Sequence, residues 1–198
     1  IRDRRIAARS DTDAPLPPIL ALKSTVDDTV TTDAIVDNLL SLLTPRRHEL
    51  VLFDVNRYDS KASLLVADPG PLTDRLLGDD SLPFALTVIT NRDSKTRDVV
   101  ARHKEALSAD VVNEELPDLA WPNDVFSLSH VALPFAPDDP LYGSNPPIGD
   151  NTLHLGDIPL RGERDLNKIS GEWLLRMRYN PFYDVLESRI VAWLESID

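Results

Sequence analysis

PILALKSTVDDTVTTDAIVDNLLSLLTPRRHELVLFDV, residues 18–55, carries the clearest structural pattern in the chain. Residues 18–23 form a short apolar run between turn signals, which fits a buried strand. A polar loop follows from Ser24 to Val30. Thr31 or Thr32 is placed to cap a helix whose apolar positions, Ile35, Val36, Leu39, Leu40 and Leu43, recur at helical spacing; Pro45 ends it. Residues 49–55, ELVLFDV, read as a second strand. Strand, helix and strand in so short a stretch make a βαβ unit, and its two strands are expected to be parallel.

Working outward, residues 58–67 and 72–77 read as short helices split by Asp68-Pro69-Gly70-Pro71. Residues 84–90, FALTVIT, read as a third strand. Residues 96–107 are expected to be helical, with a charged face of Arg97, Arg102, Lys104 and Glu105 and an exposed His103. His48, after Arg46-Arg47, is also expected to be exposed. Residues 108–123 read as loop or a frayed helix end, and residues 124–129, DVFSLS, as a fourth strand ending at His130. Residues 134–167, rich in proline and glycine, read as a long loop. Asn180-Pro181 starts a last helix with an apolar stripe of Val185, Leu186, Ile190, Val191 and Leu194. Phe182, Trp173, Met177 and Trp193 read as packing residues. The expected organisation is a flexible arm over residues 1–15 and a single α/β unit over 16–198, with mainly parallel strands and flanking helices.

The chain has 198 residues, 42% of them apolar, enough for one domain with a core and too apolar for a disordered chain. No run of about 18 apolar residues is present, so no transmembrane segment is expected. The basic first ten residues, IRDRRIAARS, lack the apolar segment of a signal peptide. With no cysteine there is no disulfide, thiolate metal site or cysteine nucleophile. A net charge of −12 argues against nucleic-acid binding, which needs a basic footprint. Because Met177 is the only methionine and the chain begins at Ile1, it is expected to be part of a larger parent.

Ligand sites of parallel sheets form beyond the carboxyl ends of the strands. Two residues fall there: Asp27, just past the first strand, and His130, directly after the fourth. A carboxylate on His Nδ1 fixes the tautomer and stabilises the imidazolium, leaving Nε2 as general base. PILALKSTVDDTV resembles the strand and acid loop of α/β-hydrolases, and VFSLSHVALPFAPDDPLYG, residues 125–143, resembles the segment around the catalytic His of the bacterial lysophospholipase-like and monoglyceride-lipase-like group. NPFYDVLESRIVAWLE is similar to the last helix of that group. The resemblance implies the carboxyl-terminal half of an α/β-hydrolase sheet, with Asp27 as triad acid, Asp28 its neighbour and His130 as base. It implies a serine hydrolase of carboxylic esters, lipid-like ones included, that needs no cofactor and no metal.

The sequence departs from that pattern twice. Asp27 and His130 stand 130 − 27 = 103 positions apart, which reads as an insertion between the acid and His segments. No G-x-S-x-G is present, so the nucleophile is expected from a missing amino-terminal half. Ser24, Ser127, Ser129, Ser144 and Ser170 read as structural, and Asp54 is the alternative acid. The Asp138-Asp139 pair reads as a turn rather than a metal site, and Arg161-Gly162-Glu163-Arg164 as an ion-pair corner. Without its other half the chain is expected to expose an apolar sheet edge and to self-associate. The rival expectation is a non-catalytic assembly half or binding module.

Overall fold

The computed structural model describes residues 16–27, 30–45, 47–121, 134–143, 157–159, 175–177 and 179–197. The βαβ unit forms as expected. Strand β1 (Leu20–Ser24) pairs parallel with β2 (Glu49–Asp54), with Leu22 opposite Val51. Helix α1 (Thr32–Asn38) and a 3-10 turn (Leu40–Leu42) connect them. Of the two candidate caps it is Thr31 that acts, its hydroxyl accepting from Ala34 N at 3.3 Å.

A one-turn helix α2 (Asp59–Ala62) and helix α3 (Gly70–Gly78) lead to β3 (Ala85–Asn91), which pairs parallel with β2. Both crossovers lay their apolar positions, Val36, Leu40, Leu72 and Leu76, on the sheet face that carries Leu50, Leu52, Leu86 and Val88. This follows from the sheet order β1-β2-β3, which never reverses. Connections of one hand between strands added in one direction must cover one face. The opposite face, with Val51, Phe53, Ile89, Val99 and Ala101, needs another cover. It receives helix α4 (Tyr183–Ile197) through Phe182 and Leu186, together with Trp121. The helix starts at Tyr183 rather than directly after Asn180; Asn180 Oδ1 accepts from Phe182 N at 2.8 Å and so shapes the turn that leads into it. The arrangement is of α/β type, with helices on both sides of one sheet.

The sheet is mixed, not mainly parallel. Residues 96–107, expected as helix, hold β4 (Asp98–Lys104), which pairs antiparallel with β3, Val88 facing Arg102. Residues 108–123, expected as loop, hold β5 (Val111–Ala120), antiparallel to β4. Thus two of the four pairings are parallel and two antiparallel. The elements expected as an insertion extend the sheet itself. A turn starts the hairpin: Asp93 Oδ1 accepts from Lys95 N and Thr96 N at 2.7 and 2.8 Å. Those two N–H groups hold the Asp93 carboxyl below the ordinary carboxylate range.

Lys104, expected on a solvated helix face, is buried, and its ammonium donates to the carbonyls of Leu77 and Asp79 at the end of α3. A cation suits that carbonyl-rich helix end. In the β4–β5 turn Leu107 has φ 56°, a region that costs a branched side chain strain. His48, expected exposed, is buried, and its Nδ1 accepts from Ile19 N at 3.1 Å. Trp193 Nε1 donates to Arg47 O at 3.2 Å, pinning the far end of α4. A separate ladder pairs β6 (Asp157–Pro159) with β7 (Leu175–Met177) antiparallel. The expected fourth strand and Trp173 lie outside the described residues. No helix among the described residues is long and apolar enough to cross a membrane.

Phe182 is wholly buried, its ring 6.4 Å from Phe53 and 6.0 Å from Trp121, and so anchors α4 to the sheet. Phe182→Ala is expected to lower unfolding free energy by about 3–5 kcal/mol. Urea unfolding followed by circular dichroism measures it, and a loss under about 1 kcal/mol contradicts the anchoring role.

Candidate functional site

Three strands deliver polar side chains to the carboxyl end of the parallel half of the sheet. β2 ends on Asp54, whose side chain has 0% exposure. Its carboxylate is held from two sides. Arg57 Nε donates to Oδ2 at 2.6 Å, and Thr25 Oγ1, just past β1, donates to Oδ1 at 3.3 Å. Arg57 also lies 3.5 Å from Asp74 on α3 and donates to Gly70 O at 3.4 Å. One guanidinium thus ties the end of β2 to the following crossover. A buried carboxylate needs such partners because desolvation disfavours its charge.

β3 ends on Asn91. Its Oδ1 accepts from Arg57 N at 2.9 Å and Tyr58 N at 3.2 Å, which holds the chain as it leaves β2. Two backbone donors fix which amide atom is the oxygen. Nδ2 therefore points elsewhere, and it is buried with no acceptor among the described residues. A buried donor left so costs about 1–3 kcal/mol.

Arg57 and Asn91 line a cleft of about 550 Å³. Arg57, Asn91, Arg92 and Arg102, with the acids Asp68 and Asp93, line its polar side, and Leu65 and Val66 its apolar one. Sequence reasoning missed this cleft. Its one legible trace is that Asp54, Arg57 and Asn91 all follow an apolar run closely, where strand ends fall.

Asp27 also sits at this end of the sheet, three positions past β1. Its Oδ2 lies 2.9 Å from Lys23 Nζ, and that ammonium also donates to Asp27 O at 3.2 Å. Lys23 is buried; burial pulls its pKa below the ordinary value, and the Asp27 carboxylate opposes the shift. Asp28 and His130 lie outside the described residues. Asp54, the alternative acid, is enclosed by Thr25 and Arg57.

Of the serines read as structural, Ser24 is buried at the end of β1, and Ser127, Ser129, Ser144 and Ser170 lie outside the described residues. Asp139 makes the expected turn, its Oδ1 accepting from Leu141 N and Tyr142 N at 2.9 and 2.7 Å. Gly143 closes that turn so tightly that a Cβ would lie 2.5 Å from two carbonyl oxygens. Asn180 N donates to Phe135 O at 2.7 Å, which joins the turn to the start of α4.

A second polar chain stands at the opposite, amino-terminal end of the parallel strands. Thr87 Oγ1 donates to Glu49 Oε1 at 2.7 Å and lies 2.9 Å from His103 Nδ1, while His103 Nε2 lies 3.1 Å from Glu105 Oε1. The order hydroxyl, imidazole, carboxylate looks catalytic. The Thr87 side chain is wholly buried, however, and its proton is committed to Glu49, so no substrate reaches it. His103, expected on a charged helix face, is a strand residue whose ring belongs to this chain.

No protein-family model matches this chain, and neither a curated protein nor a solved structure is significantly similar to it.

Two outcomes test the charge arrangement. Arg57→Met is expected to cost about 3 kcal/mol, because it leaves Asp54 buried with one neutral partner. Adding Asp54→Asn is expected to recover much of that loss, and an additive double-mutant cycle contradicts the pairing.

The second outcome concerns Lys23. Its folded pKa lies below the ordinary 10.5, so between those two values the unfolded chain holds a proton the folded chain has lost. Stability from this group therefore rises with pH through that alkaline window. Chemical denaturation at stepped pH is expected to show the rise in the native chain and its absence in Lys23→Met.

Proposed function

We propose that this chain is the carboxyl-terminal portion of a serine hydrolase acting on carboxylic esters, supplying the triad acid Asp27 and base His130. The observation that carries the reading is the position of Asp27, immediately beyond the carboxyl end of a parallel strand that opens a βαβ unit. Ligand-handling residues of open parallel sheets gather at that end. The resemblance of residues 125–143 to the segment around a hydrolase histidine supports His130. Among the described residues β1 stands at the sheet edge, where a strand from a preceding half could add.

The mechanism follows the residues. A serine from a segment outside these 198 residues attacks the ester carbonyl. His130 Nε2 takes the serine proton and returns it to the leaving alcohol, then takes a proton from the water that attacks the acyl-serine and returns it to the serine oxygen as the acid leaves. Asp27 holds the ring and stabilises the imidazolium. Backbone N–H groups, also from outside this chain, stabilise the oxyanion. An apolar acyl chain and a glycerol-like alcohol follow by analogy with the resembled group.

A second reading is favoured by the Lys23–Asp27 contact itself. A carboxylate paired at 2.9 Å with a buried ammonium has a structural role already, which suits a non-catalytic assembly half or binding module.

The test is a fluorophosphonate probe applied to the protein as purified from its native source, read by denaturing mass spectrometry. The hydrolase reading expects probe mass on a polypeptide bearing an upstream serine. His130→Ala is then expected to lower kcat roughly 10⁴-fold or more, Asp27→Asn about as much, and Asp28→Asn far less. If only this chain is found and it carries no probe, the hydrolase reading fails and the assembly reading stands.

A further inference from the structure

We propose that the cleft beyond the carboxyl ends of β2 and β3 binds an oxyanion, a carboxylate or phosphate group borne on a short aliphatic chain. The inference goes beyond the hydrolase reading and uses neither Asp27 nor His130. Its central observation is a pair of donors without protein acceptors. Asn91 lines the cleft, and its Nδ2 is buried with no hydrogen-bond partner among the described residues. Arg102 lines the same cleft and makes no ion pair among the described residues.

The sheet explains how the two come to one place. Arg102 lies opposite Val88 on β4, three positions from the end of β3 at Asn91. Both residues line the one cleft, and the five donors of a guanidinium form a planar fork suited to two oxygens of one anion. Arg57 and Arg92 also line the cleft. Arg57 is engaged by Asp54, and Arg92 by Glu115 at 2.5 Å, which leaves Arg102 as the cleft arginine without an ion pair among the described residues.

The two acids of the wall are turned to backbone donors. Asp68 Oδ1 accepts from Gly70 N at 2.8 Å, and Asp93 Oδ1 accepts from Lys95 N and Thr96 N. An aliphatic portion follows from the other wall. Leu65 is buried there, while Val66 is 56% exposed at the same cleft, an apolar surface that a ligand chain would cover.

Isothermal titration of the full chain with octanoate, octyl phosphate and neutral octanamide at constant ionic strength tests this. Saturable one-to-one binding of at least one anion is expected, with octanamide at least tenfold weaker. Tighter binding of octanoate assigns a carboxylate head, and tighter binding of octyl phosphate a phosphate head.

Arg102→Gln is expected to raise Kd at least tenfold. Asn91→Asp keeps an oxygen for the Arg57 and Tyr58 N–H groups and removes the donor, so it is expected to abolish binding. Should Asn91→Asp fail to fold, Arg102→Gln, which breaks no ion pair among the described residues, decides alone. Absence of saturable anion binding, or an unchanged Kd in Arg102→Gln, overturns the proposal.

Discussion

Strand β2 is buried on both faces, and the rest of the molecule is arranged to keep it so. Leu50 and Leu52 face one side and Val51 and Phe53 the other, all with no exposure to solvent. A strand of this kind needs two covering layers. Its own crossovers supply one, because connections of a single hand along an unreversed strand order fall on a single face. The other layer must come from far along the chain. The fold therefore closes only when Phe182 and α4 return to the sheet, held by Asn180 at one end and by Trp193 on Arg47 at the other.

The same topology concentrates polar groups at one end. Parallel strands finish together, so Thr25, Asp54 and Asn91 meet where β1, β2 and β3 stop. Their burial there requires partners, and Arg57 serves as the common one: its side chain takes Asp54 and its backbone N–H takes Asn91. What these contacts leave over is chemically specific. Among the described residues Asn91 retains a buried donor without an acceptor and Arg102 makes no ion pair, and both residues line one cleft. The hydrolase reading and the oxyanion reading draw on different residues at this end of the sheet, so each can stand or fall alone.

Legibility in the sequence varied with the kind of signal. The βαβ unit was readable because α1 shows helical spacing and β2 a continuous apolar run, two patterns that differ in period. The residues of β4 misled. Val99, Val100 and Ala101 beside Arg102 and Lys104 satisfy a helical face as well as a two-sided strand, and only the adjacent β-branched pair leans toward strand. Asp93 in its turn was the missed hairpin signal. Lys104 and His48 looked solvated because charge and polarity favour the surface. Each is instead buried on a backbone partner distant in sequence, the carbonyls of Leu77 and Asp79 for one and Ile19 N for the other. Of the candidate site, Asp27 could be placed from its loop, whereas its Lys23 partner could not.

Local pattern was enough to establish an α/β chain, its first parallel pair, a cap at Thr31 or Thr32, and the place of Asp27 past a strand end. These depend on spacing and on residues that touch near neighbours. The antiparallel half of the sheet, the burial of Asp54 on Arg57 and the cleft beside them were decided only by tertiary structure. Each depends on which strand lies beside which. Val88 meets Arg102 and Asn91 meets the chain at Arg57 across gaps that no periodicity spans.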